Sequence, residues 1–362
     1  MHIVHTEASH GWGGQEIRVL SEAEGMRGRG HRVTLIAPAS ARIYGEAAAR
    51  RIDAVDLPIG RKRPGGVLAL RRWLGANAVD VVNTHSSTDS WLAALACRTL
   101  ARAPAIVRTR HVSTPVPGNR ATRWLYTDAT RRIVTTGEAL RRTLIEENGF
   151  PADQITSVPT GISSERFAPG ERAAARVATG LPADRTMVGI VATLRDWKGH
   201  QFLLEAMAKL PGERVGLAIV GDGPQHAALA ARIRELGLDG RVWMPGDQRD
   251  VVPWLRSFDV FALPSYASEG VPQALLQAML CGLPCVTTGV GAIGEAAIDG
   301  ETALVVPPRD AEALAGAIGR LVAEGALRAR LGAAARAHCV ARFGYEAMLD
   351  RMEAVFRKAA AA

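Results

Sequence analysis

The chain has 362 residues, of which 48% are hydrophobic and 22% charged, a globular composition that excludes a disordered chain. At about 150 residues per domain, this length predicts two domains, and no window holds the roughly 18 consecutive apolar residues of a membrane-spanning helix. The formal net charge of +8 lies entirely in residues 1–170, which carry 23 Lys and Arg against 15 Asp and Glu, whereas residues 171–362 carry 21 of each.

Short β-branched runs recur along the whole sequence and predict twelve strands. The predicted strands are His2–Thr6, Val33–Ile36, Val79–Asn83, Ala105–Arg108, Arg132–Thr135, Ile155–Val158, Met187–Ala192, Val215–Val220, Val242–Met244, Val260–Leu263, Cys285–Thr288 and Ala303–Val306. Helical patterns lie between them, with apolar residues spaced along one face. Strands separated by helices predict parallel sheets covered on both faces.

The chain opens on a strand, without the basic and apolar regions of a secretory signal, so we expect a cytoplasmic protein. A strand, glycine-bearing loop and helix occur twice, over Met1–Leu20 and Met187–Leu210. The segment Pro159–Gly180 between them is rich in Pro, Gly and Ala and predicts the domain boundary. The two domains are expected to face each other across a cleft.

The four cysteines, Cys97, Cys281, Cys285 and Cys339, are scattered in apolar settings. They are expected to be small buried hydrophobic residues in a reducing compartment. Cys281 and Cys285 lack the spacing of a zinc site, so no metal site is predicted from them.

Two glycine-bearing loops are candidates for phosphate binding. The first, Gly11-Trp12-Gly13-Gly14, precedes a helix, whose N-terminus offers free N–H groups. Glu16 breaks the Gly-x-Gly-x-x-Gly dinucleotide pattern. The second loop carries Arg195 and Lys198 at a predicted helix start, where cations are unfavourable unless an anion binds.

The most informative segment is Glu269-Gly270-Val271-Pro272-Gln273-Ala274-Leu275-Leu276-Gln277. Pro272 predicts the first turn of a helix that ends at Gly282, with Val271 and Leu275 on its buried side. Glu269 therefore lies at a helix start, where a carboxylate either caps the helix or accepts hydrogen bonds from sugar hydroxyls.

The order of these motifs resembles glycosyltransferase family 4, retaining enzymes with the GT-B fold. The motifs are Arg-Asp-Trp-Lys-Gly at 195–199, Gly-Asp-Gly-Pro at 221–224, Pro-Ser at 264–265, the Glu269 segment and Gly-Leu-Pro-Cys-Val at 282–286. Gly13-Gly14-Gln15-Glu16, Arg110-His111 and Pro159-Thr160-Gly161 extend the likeness to most of the chain.

The resemblance implies an α/β protein of two Rossmann-like domains facing across a cleft. Residues 1–162 would form an acceptor-binding domain, onto which a C-terminal helix at about 345–362 packs back. Residues 163–344 would bind the nucleotide-sugar donor.

The resemblance also assigns site residues. Lys198 would hold the donor diphosphate, Glu269 the donor sugar, and His111 would lie near that sugar. The implied catalytic set is Glu269, His111, Lys198 and Arg195, and the implied donor-binding set is Gly13, Gly14, Thr193, Arg195, Lys198, Gly221, Gly246, Glu269, Gly270, Val271 and Gln277.

The sequence departs from the family pattern at two positions. Thr193 stands where the family has its second phosphate-binding cation, so Arg195 is expected to take over that role. Gln277 stands where the second glutamate holds ribose, and an amide still binds hydroxyls without the charge. No Asp-x-Asp occurs, so neither a required metal nor any other cofactor is expected beside the nucleotide-sugar co-substrate.

The positive charge of the first half predicts an anionic partner, such as a phospholipid surface, a phosphorylated acceptor or nucleic acid. Arg61-Lys62-Arg63 and Arg71-Arg72-Trp73 form a basic stretch that can rest on anionic lipid, at about 1 kcal/mol per basic residue. This favours a lipid-linked saccharide of lipopolysaccharide or polysaccharide synthesis, at the inner face of the cytoplasmic membrane. Nucleic acid is not expected, because no aromatic strand platform or basic recognition helix is evident.

Three further functions are compatible with the sequence. A nucleotide-sugar epimerase can share this fold and needs no acceptor. A transferase can also act on a small soluble acceptor. Thr193 and Gln277 leave open a protein that binds nucleotide sugars without catalysis.

Overall fold

The computed structural model describes residues 1–111, 114–212, 214–267 and 269–361. They form two compact units, one of Met1–Thr160 with Glu346–Ala362 and one of Gly161–Tyr345. Among these described residues, no helix is long and apolar enough to cross a membrane.

The first unit is built on a seven-stranded parallel sheet in the order β3-β2-β1-β4-β5-β6-β7. Its strands are β1 (His2–Thr6), β2 (Arg32–Ala37), β3 (Asp53–Asp56), β4 (Val81–Thr84), β5 (Ala105–Arg110), β6 (Arg132–Thr135) and β7 (Ile155–Ser157). Its helices are α1 (Gly14–Gly28), α2 (Arg42–Ala49), α3 (Pro64–Ala76), α4 (Ser87–Cys97), α5 (Arg120–Thr127) and α6 (Glu138–Glu146). The central strands are buried because helices cover both faces of the sheet.

The second unit holds a six-stranded parallel sheet in the order β10-β9-β8-β11-β12-β13. Its strands are β8 (Thr186–Val191), β9 (Val215–Val220), β10 (Val242–Gly246), β11 (Val260–Leu263), β12 (Cys285–Thr288) and β13 (Leu304–Val306). Its helices are α7 (Arg172–Thr179), α8 (His200–Lys209), α9 (His226–Glu235), α10 (Val252–Ser257), α11 (Gln273–Leu280), α12 (Ala311–Ala323) and α13 (Gly325–Arg342). The predicted pair of parallel α/β domains is thus confirmed.

The last helix, α14 (Tyr345–Ala360), packs on the first unit. Arg29 reaches the carboxylates of Glu346, Asp350 and Glu353 at 2.8, 2.7 and 3.1 Å. The pKa of Glu353 is lowered to about 2, chiefly by hydrogen bonds from Arg357 and further by His31 and Arg29. An ionised carboxylate is therefore present on this helix at any ordinary pH.

The sequence missed one strand, and several predicted boundaries differ from the observed ones by one or two residues. Strand β3, Asp53–Asp56, lies at the sheet edge with its residues partly exposed, so it lacks the apolar run that marks a central strand. Strand β4 begins at Val81, two residues after the predicted start at Val79. Pro272 precedes helix α11 as its N-cap instead of lying in its first turn.

All four cysteines are buried and unpaired, as predicted. Burial raises the pKa of Cys281 to about 11 and that of Cys97 to about 12. Since the thiolate is the reactive form, these thiols are inert at neutral pH.

Candidate functional site

The strand order of the second unit reverses between β8 and β11, which lie side by side in the middle of its sheet. In open parallel sheets, ligands bind beyond the carboxyl ends of the strands at such a reversal. The loop after β8 carries Arg195 and Lys198, and the loop after β11 carries Glu269. The predicted diphosphate and sugar residues therefore lie at the position where this fold places a ligand.

Lys198 and Glu269 form an ion pair, with 2.6 Å between Nζ and Oε1. The hydroxyl of Ser265 donates to the same Oε1 at 2.6 Å. Glu269 is 6% exposed and Ser265 is fully buried. The structure thus joins two predicted site residues, 71 positions apart in the chain, and holds the carboxylate from two sides.

Two glycines permit the close approach of these loops. Gly199 ends the 3-10 turn Asp196–Lys198 with φ of +74°, and a Cβ there would lie 2.1 Å from the carbonyl oxygen of Pro264. Gly291 has φ of +61°, and a Cβ there would lie 2.0 Å from the carbonyl oxygen of Glu269. Any side chain would therefore push apart the backbone segments that position Lys198 and Glu269.

The remaining groups of the β8 loop are partly open to solvent. Arg195 is exposed, with its guanidinium carbon 5.8 Å from the centre of the Trp197 ring. Its backbone N–H donates to the carbonyl of Thr193 at 2.7 Å, so Thr193 shapes the loop through its backbone. The hydroxyl of Tyr266 contacts the carboxylate of Asp196, which joins the β8 loop to the β11 loop.

The loop after β9 is held against the end of β10. The backbone N–H of Gly221 donates to the carbonyl of Gly246 at 2.9 Å, so these two predicted donor-binding residues are in direct contact. Gly221 has φ of +137°, and a Cβ there would lie 2.1 Å from the carbonyl oxygen of Ala192.

Helix α11 follows the acidic loop. Val271 is 5% exposed, Gly270 is partly buried, and Pro272 sets the helix start. Gln277 is partly buried on this helix, and its side-chain amide has no hydrogen-bond partner within the described part of the chain. The amide is therefore available to a ligand.

The first unit has its own strand-order reversal, between β1 and β4. Three histidines lie at the carboxyl ends of neighbouring strands: His5 on β1, His85 after β4 and His111 after β5. Nδ1 of His5 lies 3.0 Å from Nε2 of His85, and Nδ1 of His85 lies 2.9 Å from Nε2 of His111. The predicted site residue His111 is thus the outer member of a hydrogen-bonded row of three rings.

All three imidazoles are neutral at physiological pH. Burial lowers the pKa of His5 to about 3, and burial lowers the pKa of His85 and of His111 well below the usual value. The positive charges of Arg18 and Arg110 add to this effect at His111.

The loop after β1 leads to the predicted glycines Gly13 and Gly14. Gly13 is the extended N-cap of α1, and Gly14 is the first residue of that helix. The carboxylate of Glu7 accepts from the Gln15 side chain at 2.5 Å. Burial, together with the charge of Asp89, raises the pKa of Glu7 to about 8, so this carboxyl carries a proton at neutral pH.

Sequence reasoning missed His5, His85, Glu7 and Asp89. His5 and Glu7 were hidden inside or just after an apolar strand, and His85 follows one. These residues could have been found from their position, because each is a polar residue near the carboxyl end of a strand close to the strand-order reversal. Within the described residues, no group of three or more His, Cys, Asp or Glu could hold a metal ion.

The chain matches two sequence families. Residues 12–166 match the family described as Glycosyltransferase Family 4, and residues 185–324 match the family described as Glycosyl transferases group 1. The D-inositol 3-phosphate glycosyltransferase of Mycobacterium tuberculosis is 35% identical over 241 residues, covering 64% of this chain. The chain spans about half of that curated relative, 49% of its length.

Solved structures resemble the whole chain. A glycosyltransferase from Rickettsia africae superposes with a TM-score of 0.88 at 20% identity, covering 99% of this chain and 98% of its own. Anabaena Alr3699/HepE in complex with UDP-glucose gives a TM-score of 0.88 at 20% identity, covering 99% of both chains. At this level of identity the likeness establishes the fold.

Proposed function

Because the chain belongs to the family 4 type of glycosyltransferases and has the GT-B fold, we propose that it transfers a sugar from a nucleotide-sugar donor to an acceptor. The observation that carries this proposal is the Lys198–Glu269 pair at the strand-order reversal of the second unit. One partly exposed cation and one buried carboxylate suit a ligand with a diphosphate and a hydroxylated ring.

In this proposal the donor separates the ion pair and takes both partners. The ammonium of Lys198 moves onto the diphosphate, and Glu269, still held by Ser265, accepts hydrogen bonds from sugar hydroxyls. The exposed guanidinium of Arg195 adds a second cation, in place of the one lost at Thr193. The side-chain amide of Gln277 binds the ribose hydroxyls, and the backbone of Gly246 faces the base.

The reaction breaks the bond between the anomeric carbon and a diphosphate oxygen, forms a bond between that carbon and an acceptor hydroxyl oxygen, and passes the hydroxyl proton to the released nucleoside diphosphate. Positive character develops on the sugar ring and negative charge on the leaving phosphate, which Lys198, Arg195 and the loop N–H groups stabilise. The proposed chemistry needs no metal, because the protein supplies the countercharge. We propose retention of the anomeric configuration, to be read from the anomeric proton coupling of the product.

Donor binding is tested by thermal unfolding against UDP-, GDP- and ADP-sugars, beginning with UDP-glucose. A donor at about 100 times its Kd adds about 2.7 kcal/mol to the free energy of unfolding. One donor should raise the Tm of the wild type and do so much less in Glu269→Ala. Glu312→Ala is the matched control, since Glu312 is an exposed carboxylate 2.6 Å from a lysine in the same unit. Absence of any shift with the whole panel contradicts the proposal.

The proposed acceptor is a lipid-linked saccharide of lipopolysaccharide or polysaccharide synthesis, met at an anionic membrane. Arg61, Lys62 and Arg63 are exposed ahead of helix α3, and Arg71 and Arg72 are exposed along it. Such a basic surface attracts anionic lipid within a Debye length. Liposome flotation tests this: vesicles with anionic lipid should carry the wild type at low salt, and a variant with all five residues changed to Ser should stay in solution.

A phosphorylated polyol is the second candidate acceptor. It is favoured by the sequence relative named D-inositol 3-phosphate glycosyltransferase, whose similarity extends over 64% of this chain. Flotation failure combined with transfer to inositol phosphate would select this acceptor over the lipid-linked one.

Product analysis distinguishes a transferase from an epimerase and from a protein that only binds nucleotide sugars. An epimerase would return a changed nucleotide sugar without any acceptor. A non-catalytic binding protein would shift in Tm with a donor and leave that donor intact.

A further inference from the structure

Of the three histidines in the row, only His111 was predicted from the sequence as a site residue, and the other two have no role in the proposed sugar transfer. His5 is fully buried, His85 is 5% exposed, and His111 is partly buried. The rings contact one another through nitrogen atoms, with centroids 5.3 and 5.2 Å apart. Since the nitrogens of adjacent rings point at each other, they are committed to hydrogen bonds and not to a shared metal ion.

A neutral imidazole has one N–H donor and one acceptor nitrogen. His85 uses both of its nitrogens in the row, so it must donate to one neighbour and accept from the other. Only two arrangements satisfy both hydrogen bonds. Either all three rings carry the proton on Nδ1, or all three carry it on Nε2.

The inner end of the row distinguishes the two arrangements. Nε2 of His5 is buried without a hydrogen-bond partner among the described residues, and the ring of Phe356 lies edge-to-face at 6.3 Å. With protons on Nε2, this position would bury an unsatisfied N–H donor, which is rarer in proteins than an unsatisfied acceptor. The arrangement with protons on Nδ1 leaves only a lone pair there.

The row is also held in place at its middle. The backbone N–H of His85 donates to Oδ2 of Asp89 at 2.8 Å, and the hydroxyl of Thr6 donates to the same oxygen at 2.7 Å. Asp89 also completes the capping box of helix α4 with Ser86. These hydrogen bonds hold the backbone of His85 in place and so limit the movement of its ring.

We propose that His85, backed by His5, is a positioning residue that fixes His111 in the tautomer with its proton on Nδ1. Nδ1 of His111 is then a neutral N–H donor available to an oxygen atom of a ligand, and His111 does not act as a base. This inference rests on the proposed function for the identity of the ligand, while the tautomer itself belongs to the protein alone.

The first test needs no substrate. Nitrogen-15 NMR of histidine-labelled protein distinguishes protonated from bare ring nitrogens, and single variants assign the signals. Wild-type His111 should carry its proton on Nδ1, and His85→Phe, which keeps the ring volume without nitrogens, should give a mixture of tautomers. A proton on Nε2 of His111 in the wild type, or an unchanged tautomer in His85→Phe, overturns the proposal.

The second test uses a double-mutant cycle on the transfer rate. His85→Phe and His111→Phe should each lower kcat by about tenfold, the worth of one hydrogen bond in the transition state. Because His85 acts through His111, the double variant should be no slower than His111→Phe. If the kcat of the double variant is lowered by the product of the two single decreases, the proposal is contradicted.

His2→Phe is the matched control. His2 is a buried, hydrogen-bonded histidine at the N-terminal end of strand β1, the strand that also contains His5. Its effect, if any, should multiply with that of His111→Phe. Should no donor be turned over, the proposed function fails while the NMR result still decides the tautomer. Should His85→Phe not fold, the wild-type spectrum decides alone.

Discussion

The ion pair of the second unit makes a sharp prediction about stability. Replacing Lys198 by Met removes the ammonium and keeps most of the side-chain volume, so that Glu269 is left with Ser265 alone. Breaking a buried pair costs about 3–5 kcal/mol, because an uncompensated charge remains. The Lys198 side chain is 19% exposed, which places the expected cost at the lower end, about 3 kcal/mol.

For a unit of this size, 1 kcal/mol lowers Tm by about 2–4 °C, so Lys198→Met should lower it by about 6–12 °C in calorimetry. Adding Glu269→Gln should restore most of the loss, because the amide oxygen still accepts from Ser265 and no charge remains. Lys209→Met is the control: its pair with Glu312 has the same 2.6 Å distance and is exposed, so Tm should change little. A double variant less stable than Lys198→Met would refute this reasoning.

The other predictions concern the loops, the buried carboxyl and the chemistry. Gly199→Ala should destabilise the unit and weaken donor binding in titration calorimetry, whereas Gly180→Ala, also left-handed with no atom within 4 Å, should cost only about 1–2 kcal/mol of stability. Since the pKa of Glu7 is about 8 when folded and near 4.5 otherwise, the folded state holds an extra proton between about pH 5 and 8. Stability should therefore fall as pH rises through that window, and Glu7→Gln should flatten the fall in urea unfolding; an unchanged slope contradicts the assignment. Transfer should persist in excess EDTA, and its abolition would assign a metal to the reaction.

Local pattern was sufficient for most of the fold. Twelve strands could be predicted because each contains a run of β-branched or other apolar residues, and most of these strands are buried within their sheets. The missed strand β3 lies at a sheet edge, where half-exposed residues such as Asp53 and Asp56 break the apolar pattern.

The sequence indicates which residues follow the strands of the candidate site, and it does not indicate which of them are in contact. Lys198 and Glu269 could be placed after strands, but their 2.6 Å contact depends on β8 lying beside β11. The histidine row likewise depends on β1, β4 and β5 being neighbours, which brings His5 into contact with His85, 80 positions later in the chain. Strand order depends on contacts between distant parts of the chain. The local sequence does not contain this order, so it does not show which of these residues are in contact.

Sugar transfer is tested most directly by following the donor itself. The protein is incubated with each nucleotide sugar and an extract holding lipid-linked and small phosphorylated acceptors, and all products are identified by mass spectrometry and NMR. One donor should yield a free nucleoside diphosphate and an acceptor heavier by one sugar residue, and Glu269→Gln should yield neither. A donor recovered intact with every acceptor, or recovered only as its epimer, would contradict sugar transfer as the function of this chain.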